Sequence, residues 1–484
     1  MSHDRRDSGI DMVEVARRVL REQGFALETP RPERSIPAHD PIEGAVDLRH
    51  LPWSSIDNTE SRDLDQVEHA VREGDAIRMQ VGIADVDALV PAGSPIDEHA
   101  HANTTSLYTG VAVFPMLPEE LSEDRTSLLE DRDRLAVVTE FVVRADGSLD
   151  DPQTKIYRAQ VRNHAKLVYE RVGAWLEGQR SAAPQDREIA AQLELHYEAA
   201  TRMRRRRFEL GALDFDTIEA RPVAQHGRVV DLVVTRKNRA RELVEDLMIA
   251  ANGATARFLE THNFSSIRRV VRAPKRWDRI IELAADYGHT LPAEPSAPAL
   301  AKFLEARRAA APERFADLSL SVVKLLGPGE YILQRATEAD IGHFGLAVED
   351  YGHSTAPNRR YPDLVTQRLL KACAAGERQP YSDDQLLAIA AHCTERENAA
   401  RKVERTMRKI AAAVLLSSRI GDEFDGIVTG ASNKGTYVRL FRPPAEGRVV
   451  TGERGLDVGD QVRVRLVDTE PMKGFIDFAS LGKH

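Results

Sequence analysis

A short acidic stretch, SSIDNTESRDLDQ from Ser54 to Gln66, constrains this chain more than any other feature. It places Asp57, Asp63 and Asp65 in a segment too short to keep their charges far apart. Crowded carboxylates repel one another, so folding them together is costly unless a cation neutralises them. Hard oxygen ligands suit Mg²⁺ or Mn²⁺, and the stretch therefore predicts a divalent-cation site. Its spacing alone fits a polar surface loop equally well.

The spacing inside the stretch allows its acids to converge. Asp63 and Asp65 lie two positions apart, so in an extended segment their side chains face the same way. Asp57 can return to them through a turn, which the intervening Asn58, Thr59 and Ser61 favour.

Composition indicates a globular protein with sizeable cores. The chain has 484 residues, of which 42% are hydrophobic and 30% charged. The net charge of −9 argues against indiscriminate nucleic-acid binding at the outer surface. It leaves room for a basic internal channel, because the local distribution of charge sets the field.

The sequence also bears on the compartment. No apolar run approaches the roughly 20 residues of a membrane span, and the charged N-terminus MSHDRRDSGID has no apolar signal core. The two cysteines, Cys373 and Cys393, lack zinc-site spacing and fit buried thiols. We expect a cytoplasmic protein that does not bind membranes, and a monomer.

Hydrophobic periodicity predicts an α+β fold with strands and helices in blocks. Asp11 to Gly24 reads as an amphipathic helix, and Ser382 to Arg419 as a long helix or helix pair that begins with a capping box. Alternation predicts strands over Ala76–Val90 and Leu135–Val143, and a hairpin around Gly227. Further helical segments are predicted at Leu167–Glu209 with a break near Pro184, Ala240–Glu260, Trp277–Tyr287 and Ala299–Ala310.

Several motifs in a fixed order give the chain a family resemblance. The acidic stretch is followed by GALDF, LVEDLMIAAN and HFGLAVEDYGHSTAPNRRYPD, and from about Ser54 to about Ala413 this resembles the ribonuclease II family. The C-terminal runs FDGIVTGASNKGTYVRLF and QVRVRLVDTEPMKGFIDFA resemble an OB barrel of the ribosomal S-one type. The resemblance implies a mixed sheet surrounded by helices, with an internal RNA channel.

The resemblance also implies a domain division and an activity. Residues 1–45 are expected to form a short helical region that packs on the main domain or is helix-turn-helix-like. Residues 46–419 would be the catalytic domain and residues 420–484 the RNA-binding barrel. The implied reaction is processive hydrolysis of single-stranded RNA from its 3′ end to nucleoside 5′-monophosphates, with Mg²⁺ or Mn²⁺.

The family pattern assigns chemistry to residues of this sequence. Asp57, Asp63 and Asp65 match acids that hold the metal, and Asp65 matches the acid regarded as most critical for cleavage. Arg359 in TAPNRRYPD would bind phosphate oxygens and stabilise charge in the transition state. A buried Arg359 paired with a structural acid is the alternative. Gln66 stands where the family has a fourth acid, which predicts weaker metal affinity.

Substrate contacts follow from the same resemblance. Tyr108 in TTSLY and Phe215 in GALDF match aromatics that clamp bases, although isolated aromatics are more often core residues. Glu245 and Glu404 match acids near the terminal nucleotide, where an acid can accept from a 2′-hydroxyl. Tyr437 stands where the barrel module stacks a base.

A second class of function stays open from the sequence. Two cold-shock domains precede the catalytic domain of ribonuclease II, and the residues before Ser54 leave no room for them. Together with Gln66, this favours a catalytically weakened RNA-binding or regulatory protein as the alternative.

Overall fold

The structure, a computed structural model, describes residues 10–31, 44–216, 219–225, 228–235, 237–338, 341–432 and 435–483. Gly227, the predicted centre of a hairpin, lies outside these residues. Strands and helices occur in blocks, which confirms the α+β fold class. No described helix combines the length and the apolarity that crossing a bilayer requires.

The helices are numbered in chain order. They are α1 (Met12–Glu22), α2 (Pro95–Asn103), α3 (Tyr169–Leu176), α4 (Arg187–Glu209), α5 (Arg239–Thr261), α6 (Trp277–Asp286), α7 (Ala297–Ala310), α8 (Pro312–Leu326), α9 (Tyr361–Ala374) and α10 (Asp383–Leu416).

The strands of the first half are β1 (Val46–Asp47), β2 (Trp53–Asp57), β3 (Gln66–Glu73), β4 (Ala76–Ala84), β5 (Leu107–Tyr108), β6 (Val113–Phe114), β7 (Asp133–Val143) and β8 (Lys155–Val168). The remaining strands are β9 (Glu219–Gln225), β10 (Arg228–Thr235), β11 (Ser266–Val270), β12 (Glu330–Gln334), β13 (Glu423–Ser432), β14 (Gly435–Leu440), β15 (Glu446–Thr451), β16 (Gln461–Glu470) and β17 (Phe475–Lys483).

The main sheet is mixed and closes on itself. Strand β8 runs parallel to β2 and antiparallel to β7, while β2, β3, β4 and β7 pair antiparallel in that order. Apolar side chains leave these strands on both faces. One apolar cluster joins Trp53 and Val67 to Leu369 of α9, and another joins Ile56 and Ala70 to Leu247 of α5. Helices therefore cover the strands that carry the acidic stretch.

The N-terminal helix packs on the main body. Asp11 caps α1 by accepting hydrogen bonds from the backbone N–H groups of Val13 and Glu14. Its predicted apolar face is buried against Val403 and Met407 of α10, in a cluster that also holds Leu107 of β5. The first helix thus supports the β5–β6 hairpin as well as the long helix.

The C-terminal strands form a closed barrel in the order β13-β14-β15-β17-β16, as the alternating pattern predicts. Its core, which includes Phe424, Val438 and Phe478, continues into Ala413 and Leu416 at the end of α10. The long helix is capped at its other end by the predicted box, in which Ser382 and Gln385 bond reciprocally. The barrel is therefore anchored to the main domain through α10.

Some predicted boundaries are wrong, each for a local reason. The strand predicted to reach Val90 ends at Ala84, because the Asp85 side chain accepts from Ala88 N and caps a short 3-10 turn. The helix predicted from Leu167 begins at Tyr169, since β8 continues through Val168.

Candidate active site

The acidic stretch is a loop between two neighbouring strands, and long-range bonds fix it. Strand β2 ends at Asp57 and β3 begins at Gln66. Between them Leu64 is fully buried, and its backbone N–H donates to Ser127 Oγ at 2.9 Å. Lys166 Nζ donates to the carbonyl oxygen of Ser61 at 2.5 Å. The sheet therefore sets the position of the acids on either side of Leu64.

These acids line a cavity of about 760 Å³, which we call the acid cavity. The predicted site residues that line it are Asp57, Asp63, Asp65, Gln66, Tyr108, Arg359 and Glu404. They come from β2, the β2–β3 loop, β3, β5, the loop before α9 and α10. Residues far apart in the sequence thus meet in one space large enough for a nucleotide.

Burial makes the charges of two acids costly. Asp65 is 3% exposed, and burial raises its pKa to about 6 even though Arg359 opposes the shift. Burial raises the pKa of Asp57 to about 7, and the charge of Asp65 adds to the effect. Such shifts on neighbouring carboxylates in a cavity are typical of functional sites.

Two buried carboxylate oxygens at the acid cavity have no hydrogen-bond partner among the described residues. They are Asp57 Oδ2 and Asp65 Oδ1, and both are buried. Buried carboxylate oxygens are costly unless they are bonded or coordinated, so these atoms fit a divalent cation. Within the described residues, no group of three His, Cys, Asp or Glu side chains lies close enough to hold an ion. All three predicted ligands thus line the acid cavity, but they do not form such a group.

The third predicted ligand, Asp63, accepts a hydrogen bond from a tyrosine of the same cavity. The Tyr108 hydroxyl donates to Asp63 Oδ2 at 3.0 Å, across 45 positions of sequence. Tyr108 is itself 42% exposed, and it lies on the β5–β6 hairpin that forms a wall of the acid cavity. The predicted base-clamping ring and a predicted metal ligand are therefore direct neighbours.

The loop before α9 turns Arg359 toward the acids. Arg359 Nε donates to Asp65 Oδ2 at 2.7 Å, and 39% of its side chain is exposed. The next residue, Arg360, instead pairs with the fully buried Asp363 at 2.6 Å, and the same carboxylate accepts from Ala356 N. Asp363 thus fixes the loop through Arg360, and the guanidinium of Arg359 lies in the acid cavity, bonded to Asp65.

Two predicted substrate contacts lie away from the acid cavity. Phe215 packs against a helical cluster that contains Leu213, Trp277 and Phe303, and it is partly buried there. Glu245 of α5 pairs with Lys237, whereas Val244 beside it lines the acid cavity.

A second cavity of about 1320 Å³ lies between the C-terminal barrel, α8 and β10, and we call it the barrel cavity. Lys237, the partner of Glu245, lines it, and so does Asp216, the neighbour of Phe215. On the barrel, Phe441 lines this cavity and is 48% exposed. Tyr437 is 39% exposed on β14 outside the lining. The start of α5 thus lies between the two cavities.

Several arginines in the acid cavity were missed from the sequence. Arg241 lies 4.3 Å over the ring of Tyr169 and donates to Asn58 Oδ1 at 2.9 Å, so it supports the start of the acidic loop. Arg221 and Arg408 also line the cavity. Long-range packing distinguishes Arg221 and Arg241 from other arginines of the sequence. Arg408 had a local signal, because it follows Glu404 by four residues on a helix.

Comparisons with known proteins agree with this architecture. Residues 45–376 match the RNB domain, and residues 422–481 match the RNase II-type exonuclease C-terminal S1 domain. Ribonuclease R of Thermotoga maritima is 30% identical over 522 residues, which cover 98% of this chain and 70% of that protein. Ribonuclease R of Escherichia coli is 30% identical over 472 residues, which cover 90% of this chain and 57% of that protein.

Solved structures share the fold. Mycoplasma genitalium RNase R in complex with ribose methylated single-stranded RNA superposes with a TM-score of 0.88 at 22% identity, covering 97% of this chain and 78% of that one. A yeast pseudonuclease superposes with a TM-score of 0.71 at 15% identity, covering 93% of this chain and 57% of that one. This chain spans 61% of Ribonuclease R 1 of Lactococcus lactis. With both domain matches in chain order, this chain belongs to the RNB family, the family of ribonuclease II and ribonuclease R.

Proposed function

We propose that this chain is a divalent-cation-dependent exoribonuclease that shortens single-stranded RNA from its 3′ end and releases nucleoside 5′-monophosphates. The observation that carries the proposal is the meeting of Asp57, Asp65 and Arg359 in the acid cavity, where one oxygen of each carboxylate has no hydrogen-bond partner among the described residues. Phosphodiester hydrolysis needs an activated water and stabilisation of charge on the phosphate, and these residue types serve both needs.

Asp57 and Asp65 would hold Mg²⁺ or Mn²⁺, and Asp63 would join them once its bond to Tyr108 opens. When bound, the cations supply a water of lowered pKa and neutralise charge on the scissile phosphate. Arg359 binds the same phosphate through its guanidinium, which is charge-assisted and geometrically specific. The ring of Tyr108 stacks on the terminal base, and Glu404 accepts from a ribose hydroxyl.

The two cavities support a path for the strand. RNA would be gathered at the barrel, where Tyr437 and Phe441 present exposed rings. It would pass the start of α5, where Lys237 and Glu245 meet, and end in the acid cavity. Relatives named ribonuclease R support RNA as the substrate, as does the RNA-bound structure of the Mycoplasma genitalium protein. The domain division at residues 45 and 419 is part of the same proposal.

A catalytically weakened RNA-binding protein is the second candidate. Gln66 lines the acid cavity where the family pattern has an acid, so one negative charge is absent. The yeast pseudonuclease carries the same fold, which therefore does not by itself guarantee cleavage.

Labelled RNA separates the two candidates. With Mg²⁺, a 5′-labelled single strand should shorten stepwise and a 3′-labelled one should release labelled mononucleotide at once. Asp65→Asn should abolish cleavage and leave RNA binding largely intact, whereas Asp75→Asn, at an exposed hairpin tip, should cleave like the parent chain. A mobility shift without any shortening at any Mg²⁺ or Mn²⁺ concentration would favour the binding protein.

A further inference from the structure

Two arginines of the acid cavity have no evident task in the fold. Arg359 pairs with Asp65, and Arg241 is held by Asn58, Glu170 and the ring of Tyr169. Arg221 and Arg408 are exposed, and the side chain of neither has a hydrogen bond or an ion pair with any residue that the structure describes. Both nevertheless line the cavity that holds the acids.

Their backbones are well fixed. Arg221 lies on β9, opposite Val233 of β10, and this hairpin packs against α10. Arg408 lies on α10 itself, one turn after Glu404, which lines the same cavity. Next to Arg221, Pro222 packs so closely on Gly110 that a Cβ atom there would lie 2.4 Å from Pro222 Cγ. Arg221 is thereby tied to the hairpin that presents Tyr108.

The chemistry of the two side chains points to an anion. A guanidinium is always charged, and it matches phosphate oxygens with a planar set of donors. An anion that enters a cavity lined by two such groups is attracted by both. Asp57, Asp63, Asp65 and Arg359 belong to β2, the β2–β3 loop and the loop before α9, whereas Arg221 and Arg408 present positive charge from β9 and α10.

We propose that Arg221 and Arg408 each bind a backbone phosphate of the strand whose 3′ end lies at Asp65 and Arg359, and thereby set the shortest oligonucleotide that the protein retains. The inference rests on the proposed function. As the strand shortens, its 5′ end withdraws from the barrel first, and these two contacts hold the last few nucleotides. Without them, short products dissociate earlier and the final product is longer.

The test compares charge-matched double variants. Arg221→Gln with Arg408→Gln removes both proposed contacts. Lys402→Gln with Arg405→Gln removes the same charge from exposed positions of α10 that do not line the acid cavity. Affinity for a fluorescent single-stranded RNA is measured in EDTA against salt concentration, and the end product is sized on a gel with Mg²⁺. Circular dichroism verifies folding, and the single variant Arg408→Gln, on an exposed helix face, serves if the double variant unfolds.

Each phosphate contact to a single strand adds about 0.7 to the slope of log K against log salt. The cavity double variant should therefore lose about 1.4 from the slope magnitude, give an end product at least one nucleotide longer, and raise KM with little change in kcat. Arg221→Lys with Arg408→Lys should restore the slope, because lysine keeps the charge.

Unchanged slope and product length in the cavity variant would overturn the inference, and so would an equal loss in the control, which would indicate a general field of charge. If the parent chain binds RNA without cutting it, the cleavage proposal fails while the salt slopes still decide this one. If the parent chain binds no RNA, both fail.

Discussion

Replacing Asp57 should make the metal-free protein more stable while it removes function. Burial and the neighbouring Asp65 raise the pKa of Asp57 from 3.8 to about 7, so its ionised form is disfavoured in the folded state. The difference corresponds to about 4 kcal/mol of folding free energy at pH 8, where the carboxyl is ionised in both states. Asp57→Asn keeps the shape of the side chain and removes this penalty.

The pH dependence follows from the sign of the shift. Below pH 7 the folded state takes up a proton at Asp57 that the unfolded state takes up only near pH 3.8, so the penalty shrinks as pH falls. In EDTA, Asp57→Asn should therefore gain about 3–4 kcal/mol at pH 8 and less than half of that at pH 5. Urea unfolding followed by tryptophan fluorescence measures it, because Trp53 is buried in the same sheet.

Asp87→Asn provides a control of opposite sign. Burial opposes the shift at Asp87, but Lys371 and Arg368, at 2.7 and 2.8 Å, hold its pKa below the ordinary value. That variant should lose stability at pH 8, and the loss should fade in acid as the carboxylate of the parent chain is protonated. Adding Mg²⁺ at pH 8 should stabilise the parent chain but hardly Asp57→Asn. Equal stability of Asp57→Asn and the parent chain at pH 8 would refute the reasoning about the acid cavity.

Three further predictions test other parts of the site. Gly110→Ala should destabilise the chain by more than Gly93→Ala and should weaken RNA binding. Both glycines have φ near +75° to +79°, but only Gly110 lies against Pro222. Gly93 has open space around it, so Gly93→Ala isolates the backbone cost of about 1–2 kcal/mol in a thermal melt. Gln66→Asp should lower the half-saturating Mg²⁺ concentration several-fold, since it adds a charge to the acid cavity, and an unchanged titration would contradict the role given to Gln66. Tyr437→Ala should weaken single-stranded RNA binding by about 1–3 kcal/mol if the ring stacks on a base, and equilibrium titration with and without the substitution measures this.

The parts of the fold that depend on neighbouring residues were predictable. The apolar face of α1, the capping box of α10 and the alternation of the C-terminal barrel are all encoded within a few positions, and the structure confirms them. The crowding of the acids in the Ser54–Gln66 stretch is of the same kind, because spacing alone brings their charges close. The order of the motifs along the chain indicated the family resemblance, because several local signals agreed in one sequence.

Pairings between distant residues could not be read in this way. Nothing local indicates that Asp63 accepts from Tyr108, or that Arg359 faces Asp65 across 294 positions while Arg360 takes the buried Asp363. Phe215 and Glu245 lie in motifs that match the family pattern. Their placement beside the barrel cavity nevertheless depends on how α5 and the helical cluster pack.

The sequence alone therefore determined which chemical groups this protein contains, which segments form helices or strands, and that several acids lie close together in one short stretch. Only the tertiary structure decided which carboxylate oxygens and which arginine side chains of the acid cavity have no partner in the described part of the chain. The reason is that helix and strand patterns repeat over two to four residues, whereas burial and pairing depend on closing the sheet and docking helices across hundreds of residues.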